Sequence, residues 1–357
     1  MSINEPIWKL RNEIDIKKLN FKSLSENERS IDFLMKPENI NKINWISILR
    51  NPNKKVIKFI MKPENINKID IFLLSKNNDP LIVNFLLLEE NREKINWSLL
   101  SSNNNSKIVD LLLLEENRNK IDWCELSKNS NDKIVKFLLE ENINKIDWYL
   151  FLHNSNNKTI EYLFENKDKY NIDWFQLSNI NHYKIINFLL LEENRDKIDW
   201  CELSKSSNSI IIDFLLLEEN KNKIDWYILS GNTNDKIVKY LLENEDKIDW
   251  YLFCSNSNSI AVDFILEEKN RDKLYYYRLS ENTNPKIIEF LLLKENQNKI
   301  NWYLFSLNPS IFIIDYNNMK ENEKYKEIEE ELIKEVMKPS RVFKNPHYDY
   351  IEELFDY

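Results

Sequence analysis

The feature that most constrains this chain is a period. Aligning on the residue that follows an Ile-Asp or Ile-Asn signature gives twelve anchors, Phe21, Trp45, Ile71, Trp97, Trp123, Trp148, Trp174, Trp200, Trp226, Trp250, Tyr276 and Trp302, with neighbours always 24 to 26 residues apart. A unit this short cannot bury its own apolar face, so successive units must stack to make a core. The 357 residues therefore read as one array rather than as two or three independent globules.

Each unit runs approximately Lys-Ile-Asp-Trp-x-x-Leu-Ser-x-Asn-x-Asn-x-x-Ile-Val-x-Phe-Leu-Leu-(Leu)-Glu-Glu-Asn. The Asp or Asn before the anchor is present in eleven of twelve units, Tyr275 being the exception, and it suits a helix N-cap that accepts from the free N–H groups of a first turn. Apolar pairs such as Ile121 with Leu126 and Ile198 with Leu203 fit the hydrophobic staple around such a cap, and Glu125 and Glu202 stand where a capping box places its acid. Helix A thus begins at the anchor. The Asn six residues later (Asn103, Asn129, Asn232, Asn256, Asn282) is expected to end it in the left-handed conformation that Asn tolerates. Helix A then has barely two turns and depends on packing for its stability. The second Asn (Asn105, Asn131, Asn234, Asn284) caps helix B, whose stripe Ile134, Val135, Leu138, Leu139 marks one helical face, widened by Phe137. A leucine-rich repeat has a similar period, but its Leu-x-Leu strand is missing and the chain turns polar after the Leu of helix A. The expectation is an all-α fold, an α-solenoid of about twelve helix-pair repeats.

Residues 1–18 are expected to cap one end and 19–312 to form the solenoid. The stripe Tyr325, Ile328, Leu332, Ile333, Val336 makes 313–338 a C-terminal capping helix, leaving 339–357 as an acidic aromatic tail. Twelve helix-packing steps give an open superhelix on the order of 100 Å long with a concave face.

Composition excludes several function classes. The longest apolar runs, such as Leu111 to Leu114, are far below the roughly 20 residues of a membrane span, and the first residues lack a secretion signal. An intracellular location, with no membrane partner, follows as the expectation. Cys124, Cys201 and Cys254 have no metal-ligand spacing, and His153, His182 and His347 form no pair. One glycine, Gly231, cannot build a phosphate-cradling loop. No catalytic, cofactor-binding or metal-binding residues are assigned, because the recurring Ser127, Ser178, Ser204 and Ser230 share one template position and reflect helix geometry. The net charge of −9 disfavours phosphate binding without excluding a local basic face. The Glu pairs 89–90, 115–116, 140–141, 192–193 and 218–219 are expected near the end of helix B, where negative charge opposes the helix dipole, and read as a solvated edge balanced by the Lys three residues before each anchor. Trp97, Trp123, Trp148, Trp174, Trp200, Trp226, Trp250 and Trp302 could stack bases, but their place behind a capped helix start favours packing between repeats.

Strings such as Asn-Lys-Ile-Asp-Trp-Cys-Glu-Leu-Ser (119–127, nearly again at 196–204) resemble the Asn-rich Trp-repeat proteins of mimivirus-like giant DNA viruses of amoebae. The resemblance covers residues 19–312, and the Arg341-Val-Phe segment after Met337-Lys-Pro is also similar. Many members have Asn-Pro-Asn where this chain usually has Asn-Ser-Asn or Asn-Thr-Asn, with Pro52 and Pro309 keeping the proline. The family is mostly without assigned function, so the resemblance implies a host-cytoplasmic or virion location and no active site. The reading that results is a non-enzymatic scaffold binding a protein partner. Its candidate contacts are the solvent-facing Asp110, Lys136, Asn187 and Lys239, with a nucleic-acid binder or a structural virion component as alternatives.

Overall fold

The computed structural model describes residues 6–152, 154, 156–166 and 174–320. It is an all-α repeat solenoid. Helix A starts at the anchor in eleven of the twelve units, for example Trp123–Ser127, Trp200–Ser204 and Trp226–Ser230, and is a 3-10 turn (Ser47–Arg50) in the second. The N-cap carboxylates of Asp122, Asp199, Asp225 and Asp249 each accept from the N–H three residues on, while Tyr275 makes no such bond. Asp173 lies outside the described residues. Helix B follows, for example Ser106–Leu112 and Asp132–Glu141, capped by Asn105 and Asn131. Staple residues Ile121 and Leu126, the Ile-Val pair and the Leu of helix B are buried, and one continuous apolar cluster runs from Ile14 to Phe312.

Three sequence readings are corrected. No described residue has a positive φ. The Asn that ends helix A instead turns its amide toward the preceding repeat: Asn129 Nδ2 donates to the carbonyls of Ser101 and Asn103, both at 3.0 Å, and Asn51, Asn103, Asn232, Asn256, Asn282 and Asn308 repeat the pattern. Burial of two carbonyls per repeat makes that donor obligatory. The capping box is also not formed. The backbone N–H of Asp122 donates to Ser101 Oγ of the preceding repeat (3.1 Å) and that of Asp199 to Ser178 Oγ (3.1 Å), leaving Glu125 and Glu202 to pair with Lys128 and Lys205. The third correction concerns the Glu pairs. In four of the five the chain breaks at the Leu before them, so Glu89, Glu115, Glu192 and Glu218 head a new 3-10 turn, where negative charge is favourable; only Glu140-Glu141 ends helix B. The Asn after three of these pairs (Asn91, Asn194, Asn220), and Asn270 at the equivalent position of the tenth repeat, is buried and donates to the carbonyl of the Phe in its own helix B at 2.8 Å, which secures that break.

The array closes on itself. Asn20 N–H donates to Ser306 Oγ (2.9 Å), Asn27 Nδ2 donates to the carbonyls of Ser306 and Asn308 (both 3.0 Å), and the Lys18 ammonium lies 5.3 Å from the centre of the Trp302 ring. These are the contacts that join the fourth repeat to the fifth, where Asp122 meets Ser101, Asn129 meets Ser101 and Asn103, and Lys120 lies over Trp97. The twelfth repeat lacks a full helix B. After a 3-10 turn at Pro309–Ile311 it forms strand β2 (Phe312–Ile314), which pairs antiparallel with β1 (Trp8–Leu10), Lys9 opposite Ile313. Arg29 fastens this clasp by lying over Trp8 at 4.2 Å.

The molecule is therefore a ring rather than an open superhelix, turning about 30° per repeat. The first repeat covers the face of the last one. Residues 321–338, most of the expected capping helix, and the tail 339–357 lie outside the described residues. Neighbouring repeats are bridged along helix A and the loop after it by the short side chains Ser and Asn. Along helix B they are bridged by long lysines, Lys133 to Asp110 (2.6 Å) and Lys236 to Asp213 (2.7 Å) among them. Successive helices A also approach one another more closely than successive helices B, which in a closed ring puts helix A on the inner circumference and helix B on the outer.

Candidate interaction surface

The Trp row is half-buried and its rings are occupied. Trp123, Trp174, Trp200, Trp226 and Trp250 each stack on the Phe or Tyr of their own helix B (Phe137, Phe188, Phe214, Tyr240, Phe264), with ring centres 5.4 to 6.1 Å apart. Trp148 stacks on Tyr162 at 5.8 Å, whereas Trp302 meets Phe305 edge-on at 5.5 Å. The lysine three residues before the next anchor then lies over the ring: Lys145 on Trp123 at 4.1 Å, Lys197 on Trp174 at 5.1 Å, Lys223 on Trp200 at 5.2 Å and Lys273 on Trp250 at 4.8 Å. That lysine was expected to balance the Glu pairs; cation–π attraction to the preceding repeat is its larger use, since the ring face offers a partly desolvated site.

Asp110, Lys136, Asn187 and Lys239 share one register position on helix B and all are exposed. The structure aligns them along the outer circumference rather than on a concave wall. Asp110 is held by Lys133 at 2.6 Å, and Lys136 lies 3.8 Å from Glu140. Exposed pairs of this kind contribute little to stability, which leaves them available for exchange with a partner.

A second exposed row escaped sequence reasoning. The residue after each anchor points away from the core, and in Phe72, Tyr149, Phe175, Tyr227, Tyr251, Tyr277 and Tyr303 it is a large aromatic with 38 to 57% of its surface exposed. The signal was present: once the anchor and the Leu three residues on face inward, the residue between them on a two-turn helix has nowhere to go but outward. These side chains reach the N-cap of the next repeat. Tyr251 meets Tyr275 edge-on with ring centres 5.5 Å apart, and in the fourth repeat Ser98 Oγ donates to Asp122 at 2.6 Å. That bond, with the Glu125 N–H, holds the Asp122 carboxyl below the ordinary aspartate range.

All three thiols are shifted toward the protonated form. Burial pushes the Cys254 thiol up to about 11, where it takes the place of the ladder Ser and accepts from the Tyr275 N–H at 3.4 Å. Desolvation, then the carboxylates of Asp147 and Asp225, raise the thiols of Cys124 and Cys201. Among the described residues no three His, Cys, Asp or Glu side chains converge as a metal site, and no helix is long and apolar enough to cross a membrane. His182 caps a helix B through its Nδ1, and His153 and His347 lie outside the described residues. No protein-family model, curated protein or solved structure matches the chain.

Proposed function

We propose that this protein is a non-enzymatic interaction scaffold that binds another protein through the surface of its ring. The observation that carries this reading is a division of labour among positions. Residues that recur in the repeats, the cap Asp, the Ser, the three Asn, the anchor and its Lys, are consumed in building each repeat and joining it to its neighbours. Those that vary, on the outward faces of helices A and B, are exposed. Such an arrangement sets a shape and leaves chemically diverse side chains to choose a partner, as solenoid surfaces do. Specificity on the outer row would reside in positions such as Asp110, Lys136, Asn187 and Lys239.

The test is affinity capture from cells expressing the protein, an infected amoeba being the setting the repeat resemblance suggests, with and without nuclease, followed by cross-linking mass spectrometry. A nuclease-resistant protein cross-linked to the ring supports the scaffold. Recovery that disappears with nuclease overturns it in favour of nucleic-acid binding.

A further inference from the structure

We infer that the ring opens between its second and third repeats, at an interface inside the chain, rather than at the seam where its first and last repeats meet.

An array held by nearest-neighbour contacts parts where those contacts are weakest. The interfaces on either side of this one are fully bridged. Between the first and second repeats Asn44 N–H donates to Ser25 Oγ (3.0 Å), Asn51 Nδ2 donates to the carbonyls of Ser25 and Asn27 (3.0 and 2.7 Å), Asn53 Nδ2 donates to that of Glu28 (2.7 Å), and Lys55 pairs with Asp32 (2.9 Å). Between the third and fourth, Asn96, Asn103, Asn105 and Lys107 make the equivalent bonds to Ser75, Asn77, Asn78 and Asn84. Between the second and third, each of these positions fails. Leu49 stands in place of the hydroxyl, Asp79 in place of the second Asn and Leu81 in place of the lysine. Asn77 keeps its amide, but its side chain bonds only the Asp79 N–H of its own repeat. Of the recurring bridges one survives, Lys68 over Trp45 at 4.7 Å.

Packing fails at the same place. Helix A of the second repeat is reduced to its 3-10 turn, and although Ile48 and Leu74 remain buried, a cleft of about 300 Å³ opens beside Leu49 and Leu73. The two charges that line this cleft, Arg50 and Lys76, come from opposite sides and have the same sign; Arg50 turns back to Glu26 of the first repeat (3.3 Å), and Lys76 forms no ion pair. The seam, by contrast, has the hydroxyl, the amide pair and the lysine as well as the β1–β2 clasp. Next weakest is the interface of the sixth and seventh repeats. There Leu152 and Ile180 replace the Ser and the ladder Asn, but His182 Nε2 meets Asn157 Oδ1 (3.2 Å) and Lys184 pairs with Glu161 (3.0 Å). Each missing hydrogen bond favours opening about fivefold. Parting of the second and third repeats leaves residues 61–70 as a covalent link on one side and gives access to the inner circumference with the clasp intact.

The experiment uses the full chain carrying Cys124→Ser, Cys201→Ser and Cys254→Ser, serine being the residue most repeats have at the position of Cys254. Spin-label pairs are placed at equivalent exposed positions: Ile46 with Phe72 across the second and third repeats, Tyr149 with Phe175 across the sixth and seventh, and Lys22 with Tyr303 across the seam. Distances by electron–electron resonance are followed through rising urea, below the global transition seen by circular dichroism. The 46–72 distance lengthens first, and the other two hold until the ring unfolds. Leu49→Ser, Asp79→Asn and Leu81→Lys together rebuild three bridges and shift that lengthening to higher urea. If this triple variant does not fold, the order of the three pairs in the parent chain decides alone. Earlier or simultaneous lengthening at the seam or at the sixth repeat, no lengthening before global unfolding, or a folded triple variant that opens at unchanged urea overturns the proposal.

Discussion

At the residue scale, the amide ladder dominates. Asn129→Ala removes three hydrogen bonds, two donated by its amide and one accepted from the Asn131 N–H, and takes their donor from two buried carbonyls, so denaturant unfolding should show a loss of about 2–4 kcal/mol. Two rungs lack their amide in the natural chain: the seventh repeat has Ile180 and the eighth Ser206 where the others have Asn, and a cleft of about 180 Å³ opens beside Ser178, Ile180 and Ser206. Ser206→Asn should restore the rung and raise stability by about 1 kcal/mol; a loss would show that the cleft cannot admit the amide. Asp122 offers a titration test. Because its folded pKa is depressed, its contribution is present above the ordinary aspartate value of 3.8 and is lost as pH falls through the lower folded value. Ser98→Ala should move the Asp122 pKa upward when followed by carbon-detected NMR, since the hydroxyl is the largest cause of the depression. An unmoved value would transfer the effect to the backbone donors.

At the element scale, the two-turn helix A survives because each end is tied to a neighbour. Its N-cap N–H groups are met by the preceding Ser, and its last carbonyls by the following Asn, so helix and interface form together rather than in sequence. Removing the cap carboxylate alone should therefore cost only its own bond. Asp225→Ala is expected to lose about 1 kcal/mol in denaturant unfolding, against about 2–5 kcal/mol for Leu229→Ala, whose side chain is fully buried in the same helix. Comparable losses would mean that the cap, not the core, holds helix A in place.

At the scale of the whole molecule, closure removes the two exposed apolar ends that an open solenoid must cap. Spin labels at Lys22 and Tyr303, which hold the same position in the first and last repeats, should report a separation on the order of one helix-packing step, ~10 Å plus the label arms. A distance of several nanometres by electron–electron resonance would show the array to be open. Shortening the chain through β1 should lengthen this distance, because the clasp, Arg29 over Trp8 and the pairing of Lys9 with Ile313, holds the seam together.

The sequence by itself determined the repeat, the helix starts at Asp-Trp, the caps of helix B and the inward set of Ile, Leu and Val, because these follow from local hydrogen-bonding and from the spacing of apolar residues along one helix. It did not reveal what Asn129, Ser101 and Lys145 do, since their partners stand some twenty-five residues away and only the stacking brings them into reach. Nor could it tell a ring from a superhelix. Closure depends on a small turn per repeat accumulated twelve times, and on the final unit trading its helix B for a strand that meets β1. The outward aromatic row belongs to the same category: each ring is visible as a lone aromatic in the sequence, but its alignment with its neighbours is a property of the stacked ring.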